Sequence, residues 1–501
     1  MKKVRSLIAL LLALVLVLAG CSGGGETTTT TTTTDTTVEG EYEGGENAVV
    51  NGDETNSSQS GGSQLTKDEE KKMEQAKKEL EGYTFTIASG WLTLEDDINE
   101  NTPLFERLFW EQAHKVEDKY GCDIKVIRFF ARANDLKPYI MAGKKVADLV
   151  ETMPTWIPAN VKNGYLRSWN NVPGININDT EKFVSSSTKL SQYKGETYGI
   201  QFMKPVEARY CIMFNKTLLE KNGIKASTLY DLVEKKQWTW DKLREFAKAC
   251  TKDTNSDGVN DTWGLIGKYD YIGNGILSSY GGALASNNGG KYAFSLNSTK
   301  GLNALNTYYD MVNKDKTVWV ADQLYSDTSY LNIKEDTYKE RFNAGGAAFL
   351  LWESHVLNKH TKLYADFEYG ILPLPLGEGQ TEYVSPATNA RVFTLTTTNK
   401  DIEKAVIVIN ALAEGFGGYK GNDWYEDIAT DYFTNDVEKN VKMYKLILDS
   451  QTIDYGLCIS TLEKAYYSLI LDTVYQKTNT PAAAVDAIKN SYTNEINSVF
   501  N

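Results

Sequence analysis

Between residues 84 and 170 the hydrophobic period switches back and forth, and this alternation limits the fold more than any other feature of the chain. "TFTIAS" reads as a short strand, "TPLFERLFWEQAHKVEDKYG" carries apolar residues at helical spacing, and "CDIKVIRFF" returns to strand. "DLKPYIMAGKK" reads as helix, "VADLVET" as strand and "IPANVKNGYLRSW" as helix again. Strands alternating with helices in this way predict a mostly parallel α/β sheet. Ligands of open α/β sheets sit at the carboxyl ends of the strands. The residues just beyond "TFTIASG" and "ADLVETMP" supply Trp91 and Trp156, which makes both candidate ligand contacts. A lone loop tryptophan is more often local packing; two at equivalent strand ends leave both readings open.

The first residues belong to a different class. "MKKVRSLIALLLALVLVLAGCSGGG" has a basic start, an apolar run too short to span hydrocarbon, and small residues before Cys21. A secretory signal over residues 1–20 fits. The stretch L-A-G-C resembles the bacterial lipobox, which implies cleavage before Cys21 and a diacylglycerol on its sulfur. Ordinary cleavage beside an incidental cysteine is the alternative. Residues 21–66 then read as a disordered Thr/Gly/Ser/Glu-rich tether, because such a composition cannot bury enough apolar surface to order itself. The expected location is the extracytoplasmic face of a bacterial cell membrane, anchored by lipid and not spanning it.

The net charge of −13 argues against a nucleic-acid partner and against binding anionic lipid by charge alone. Cys122, Cys211, Cys250 and Cys458 are scattered, with no C-x-x-C pair, and read as buried thiols more than as a disulfide or zinc framework. Residues 67–81 read as a solvated lead-in helix.

From Tyr193 the chain reads "YKGETYGIQFMKPVEARYCIMFNKTLLEKNGI", then "W-T-W-D", then a D-x-N-x-D-G loop followed by glycine. Later come "RFNAGGAAFLLWES", "FEYGILPLPLGEG" and "TNARVFTLTTTNKDIEKAVIVINAL". In this order and spacing the pieces resemble the extracellular solute-binding proteins of bacterial ABC importers, in the group that includes maltodextrin and other sugar binders. The resemblance covers about residues 82 to 500. It implies a two-lobe periplasmic-binding-protein-like α/β fold with a hinge, each lobe a mostly parallel sheet flanked by helices. The implied crossings lie near Gln201–Lys204 and Thr388–Val392. Residues 67–202 and 390–448 would then form the N-terminal lobe, and 203–389 and 449–501 the C-terminal lobe. A monomer that captures a carbohydrate, with an oligosaccharide the expected form, and delivers it to ABC permease subunits follows from the same resemblance.

A sugar site needs aromatic platforms and planar hydrogen-bonding groups. Carried over by position, Glu207, Tyr271, Trp352 and Glu353 would come from the second lobe, and Asn389 and Arg391 from the second crossing. Each has a bland alternative. Glu207 and Arg209 could form a hinge ion pair of small energetic weight. Trp352 follows the apolar run AAFLL and could be core, and Arg391 could face solvent. Trp238 and Trp240 read as packing at a helix start, with Thr239 or Asp241 near the cap.

"DTNSDGVNDTWG", residues 253–264, presents the oxygen ligands of a calcium loop: Asp253, Asn255, Asp257, the Val259 carbonyl and Asp261, with Gly258 at the turn. Position 12, normally a bidentate glutamate, is Gly264. A single loop of this kind suits a structural calcium ion, not a sensor. A metal-free loop whose short side chains bond their own backbone is the other reading. No enzyme is expected: the three histidines make no H-E-x-x-H motif, and no G-x-S-x-G or phosphate loop appears. Glu207 and Glu353 could in principle form a glycosidase carboxylate pair, and a surface adhesin is the third class.

Overall fold

A computed structural model describes residues 66–100, 102, 104–202, 210–288, 290–319, 335–354, 367–387, 390–414 and 433–500. Two sheets organise the chain. The first is built from β1 (Thr84–Ser89), β2 (Asp123–Arg128), β3 (Leu149–Thr152) and β4 (Leu166–Arg167). The second is built from β5 (Tyr210–Asn215), β6 (Trp263–Gly267), β7 (Ala347–Glu353) and β8 (Tyr369–Leu372). The late strand β9 (Val392–Thr396) returns to the first sheet, whose order is β2-β1-β3-β9-β4; the second runs β8-β5-β7-β6.

The expected mostly parallel sheets are in fact mixed. β1 pairs in parallel with β2 and β3, but β9 is antiparallel to both β3 and β4. In the second sheet β7 is parallel to β6 and antiparallel to β5, and β5 is antiparallel to β8. A parallel pair needs a crossover connection, whereas an antiparallel pair does not. β9 and β5 arrive from the other lobe instead, so no crossover dictates their direction.

The residues explain their elements. β5 reads YCIMFN and β7 reads AAFLLWE, and every residue of both is buried, the signature of strands covered on two faces. The helix Trp240–Cys250 starts where Thr239 accepts the Lys242 amide, which settles the cap in favour of Thr239. Trp238 and Trp240 are core pegs: their indole N–H groups donate to the Pro373 carbonyl at 3.0 Å and to Ser279 Oγ at 2.7 Å. The lead-in helix Lys67–Leu80 begins with a full capping box between Thr66 and Glu69, and only Leu80 of it is buried. All four described cysteines are free, with Cys458 half-buried and the others buried.

Two connections run side by side where the lobes join. Ile200 and Phe393 exchange both backbone hydrogen bonds, at 3.0 and 2.7 Å. Gln201 then donates to the Arg391 carbonyl at 3.2 Å. The chain is still tied to the first sheet at Ile200 and is in the second at Tyr210.

The late segments divide differently from the boundary at 448. The helix Ile402–Ala413 packs in the first core, with Val408, Ile409 and Leu412 fully buried. The helix Val437–Asp449 packs in the second core instead: Asn440 Oδ1 accepts from the Ile371 amide at 3.0 Å and from the Tyr230 hydroxyl at 2.8 Å. The final helix, Pro481–Phe500, touches both lobes. Phe500 stacks on Tyr292 at 4.4 Å, and Val499 accepts from the Tyr193 hydroxyl at 3.3 Å. A shared apolar cluster joins Val150 and Ile157 of the first lobe to Ile459, Leu462, Tyr492 and Ile496. The C-terminal lobe therefore does not hold residues 449–501 by itself.

Candidate ligand-binding site

At the carboxyl end of the first sheet three strands, β1, β2 and β3, run into segments that carry Trp91, Phe130 and Trp156. β1 stops at Ser89, and its Oγ accepts the amides of Trp91 at 3.0 Å and Leu92 at 2.8 Å. The same hydroxyl donates to the Glu151 carboxylate of β3. Arg128, the last residue of β2, closes the loop from the other side by donating to the Leu92 carbonyl at 2.6 Å. A Cβ at Gly90 would overlap the Phe130 ring, so a larger residue there would displace that ring.

This scaffold sets the rings. Trp91 and Trp156 lie 6.0 Å apart, centroid to centroid, at an interplanar angle of 37°. Phe130 meets Trp91 edge-on at 5.3 Å. Arg391 lies over Trp91 at 5.5 Å, and Arg132 lies over both Trp156 and Phe130 at 5.4 Å. The Phe130 loop is held through the Ala131 carbonyl, which accepts from Asn160 Nδ2 at 3.0 Å. Trp91, Trp156 and Arg391 are half-buried, and Phe130 and Arg132 are exposed. The result is a ledge of aromatic surface bracketed by two guanidiniums. Ring faces bind apolar C–H surfaces, and guanidinium forks donate to oxygens. Each cation–ring contact adds about 0.5–1 kcal/mol when exposed.

Phe130, Arg132, Ser89 and Glu151 were not among the expected site residues. The signal was available for two of them: "RFFAR" follows β2, so the strand-end rule that found Trp91 and Trp156 applies equally there. Glu151 is fully buried, and its second carboxylate oxygen has no hydrogen-bond partner among the described residues.

The second sheet has its own aromatic cluster, at the end where β7 finishes and β5 begins. Tyr271 lies 5.0 Å from Tyr210 and 5.1 Å from Trp352, while Tyr338 lies 5.9 Å from Trp352. Lys268 sits over Tyr271 at 4.5 Å. Trp352 does not serve as an open platform here. It is 0% exposed, because β7 is covered on both faces and the ring is enclosed by Tyr271 and Tyr338. Glu353 is likewise buried, at 3% exposed. Among the described residues no ring contact joins this cluster to Trp91 and Trp156. Glu207, Asn389 and Cys21 lie outside the described residues.

The acidic loop is bonded to itself. Asp253 accepts the amides of Ser256 at 2.7 Å and Gly258 at 2.8 Å, and Asp257 accepts that of Val259 at 2.8 Å. Asp261 accepts the Thr254 amide at 2.7 Å and the Thr254 hydroxyl at 2.5 Å, and these bonds hold its carboxyl below the usual range. Gly258 takes φ +90°, a left-handed turn open to glycine. Asn255 Nδ2 reaches both Asp257 and Asp261, so the oxygen side chains share one turn. Thr262 is turned away, donating to the Cys250 carbonyl at 2.8 Å. Among the described residues no group of three or more His, Cys, Asp or Glu side chains is arranged to hold a metal ion. The loop is bonded to itself in an Asx arrangement, and a carboxylate oxygen that accepts one amide keeps a second lone pair for a cation.

A family model described as bacterial extracellular solute-binding protein matches residues 98–445. No curated relative matches the sequence. Among solved structures, a cyclo/maltodextrin-binding protein complexed with maltotetraose is similar at 16% identity, covering 84% of this chain and 99% of that one, with a TM-score of 0.59. UspC of M. tuberculosis is similar at 14% identity, covering 82% and 99%, with a TM-score of 0.58. The GacH receptor of Streptomyces glaucescens GLA.O, solved unliganded and with acarbose, is similar at 15% identity, covering 83% and 99%, with a TM-score of 0.57. At such identities the likeness carries the fold: two α/β lobes of the periplasmic-binding-protein type. No helix among the described residues is long and apolar enough to cross a membrane.

Proposed function

The chain belongs to the bacterial extracellular solute-binding proteins, and on that premise we propose that it captures a carbohydrate, in oligosaccharide form, for an ABC importer. The observation that carries this reading is the Trp91–Trp156 pair bracketed by Arg391 and Arg132. Tilted indoles at this spacing offer a curved apolar surface suited to successive sugar rings. The two guanidiniums supply donors to ring and hydroxyl oxygens. Maltotetraose and acarbose in the similar structures support the same solute class.

The mechanism is capture by lobe closure. A solute resting on the first-lobe ledge recruits the second lobe, and the adjacent connections at Ile200 and Phe393 absorb the rotation. Contacts made only in the closed form shift the population toward it. The solute leaves unchanged, delivered to permease subunits by a monomer held at the cell membrane through a lipid on Cys21. The acidic loop is proposed as a weak structural calcium site, in the roughly millimolar range of extracellular modules.

The test is a thermal-shift and calorimetric screen of the protein against mono- and oligosaccharides, with product analysis of each mixture. Saturable binding without turnover supports the proposal. Turnover would assign an enzyme, and the absence of binding to any saccharide would remove the solute class.

A further inference from the structure

A second groove lies at the other end of the second sheet. Trp263 opens β6 and pairs with Ala347, the first residue of β7, whereas Trp352 lies near the far end of β7. The groove encloses about 560 Å³ and is lined by Trp263, Trp319, Asn313, Lys316, Arg341 and Lys477, among others. That volume suits a small molecule.

Its chemistry is cationic and aromatic in a protein of net charge −13. The Arg341 guanidinium lies over the Trp319 ring at 5.1 Å. Its Nε–H is buried and has no hydrogen-bond partner among the described residues, and a buried donor left unmade is costly. Burial also works against its charge. The neighbouring acids are engaged elsewhere. Asp315 pairs with Arg244 at 2.6 Å and Lys248 at 2.8 Å, and Asp310 with Lys314 at 2.7 Å. Asp261, whose field reaches Arg341, is bonded to Thr254. Among the described residues no carboxylate forms an ion pair with Arg341, Lys316 or Lys477.

We propose that this groove binds a small organic phosphate, a monoester dianion carrying a flat apolar group. Arg341, Lys316 and Lys477 receive the phosphate, and Trp319 and Trp263 flank the apolar part. A planar fork and two point charges match a dianion better than they match a neutral sugar. The site does not depend on the saccharide reading of the first-lobe ledge, and either can fail alone.

Phenyl phosphate is the probe, titrated by calorimetry and tryptophan fluorescence against sodium chloride of equal ionic strength. One saturable site per chain is expected. Arg341→Gln should weaken it by roughly tenfold or more, since a charge-assisted bond is lost. The surface variants Lys316→Gln and Lys477→Gln, which leave the core untouched, should each weaken it by about threefold. Trp319→Leu should weaken phenyl phosphate more than inorganic phosphate. Trp91→Ala should leave phenyl phosphate binding intact, which separates this groove from the ledge. Absence of saturable binding at about 10 mM probe, or binding that all three charge variants leave unchanged, overturns the proposal.

Discussion

Ser89 donates its hydroxyl hydrogen to Glu151 across neighbouring parallel strands, and its oxygen takes the two amides that fix Trp91 and Leu92. One buried hydroxyl thus connects the sheet to the first ring of the ledge. Ser89→Ala leaves two amides and a buried carboxylate without that partner. The expected loss is about 2–4 kcal/mol of stability. Urea melts check this, and a smaller loss in Ser89→Thr, which keeps the hydroxyl, would show that the hydrogen bonds are responsible.

Trp91 and Trp352 should respond in opposite ways to truncation. Trp91 is half-buried on the ledge, so Trp91→Ala should remove about 2 kcal/mol of solute binding, roughly thirtyfold in Kd, with little change in melting. Trp352 is enclosed in the second core, so Trp352→Ala should cost about 3–5 kcal/mol of stability. Calorimetry and thermal melts on both variants separate the two roles.

Much of this was legible in the chain. The strand–helix alternation placed Trp91 and Trp156 at matching strand ends, and the structure brings their rings together. Strand direction was not legible, because it depends on the route by which β5 and β9 enter their sheets. The sequence left Trp352 open between core and cleft for a related reason: a continuous apolar strand such as AAFLLWE does not say which of its two covered faces opens to a ligand. The helix Val437–Asp449 has an apolar stripe that would suit either sheet, and only tertiary packing assigns it to the second.

Asp454 gives a pH signature. It is buried and accepts the amides of Leu284 at 2.6 Å, Ala285 at 3.2 Å and Gly456 at 2.8 Å. Burial outweighs these bonds and pushes its carboxyl up to about 6 from 3.8. A raised folded-state pKa means the contribution is full below the unfolded value and is lost as pH rises through about 6. Wild-type stability relative to Asp454→Asn should therefore fall between about pH 4 and pH 7, by on the order of 2–3 kcal/mol. Paired denaturant melts across that range measure it; a flat difference contradicts it.

The acidic loop makes a modest demand on calcium. At ten times its dissociation constant the ion should add about 1.4 kcal/mol of stability. Asp257→Asn should reduce that gain, because it removes one of the hard oxygen charges. Melts in chelator and in millimolar calcium give the answer, and identical curves would leave the loop as a metal-free Asx turn.

Phe500 tests the seam between the lobes. Its ring stacks on Tyr292 at 4.4 Å and lies 6.1 Å from Tyr193 of the first lobe. Phe500→Ala should cost about 3–5 kcal/mol. Thermal melts check this, and a loss below about 1 kcal/mol would mean that the end of the final helix contributes little to joining the lobes.

The most direct measurement is a tryptophan-fluorescence titration of wild type and Trp91→Ala with linear maltooligosaccharides, run beside product analysis. A ledge that grips sugar predicts a saturable change at one site per chain, no product, and loss of roughly thirtyfold in affinity in the variant. Equal affinity in the two proteins, or no response to any saccharide, would contradict it.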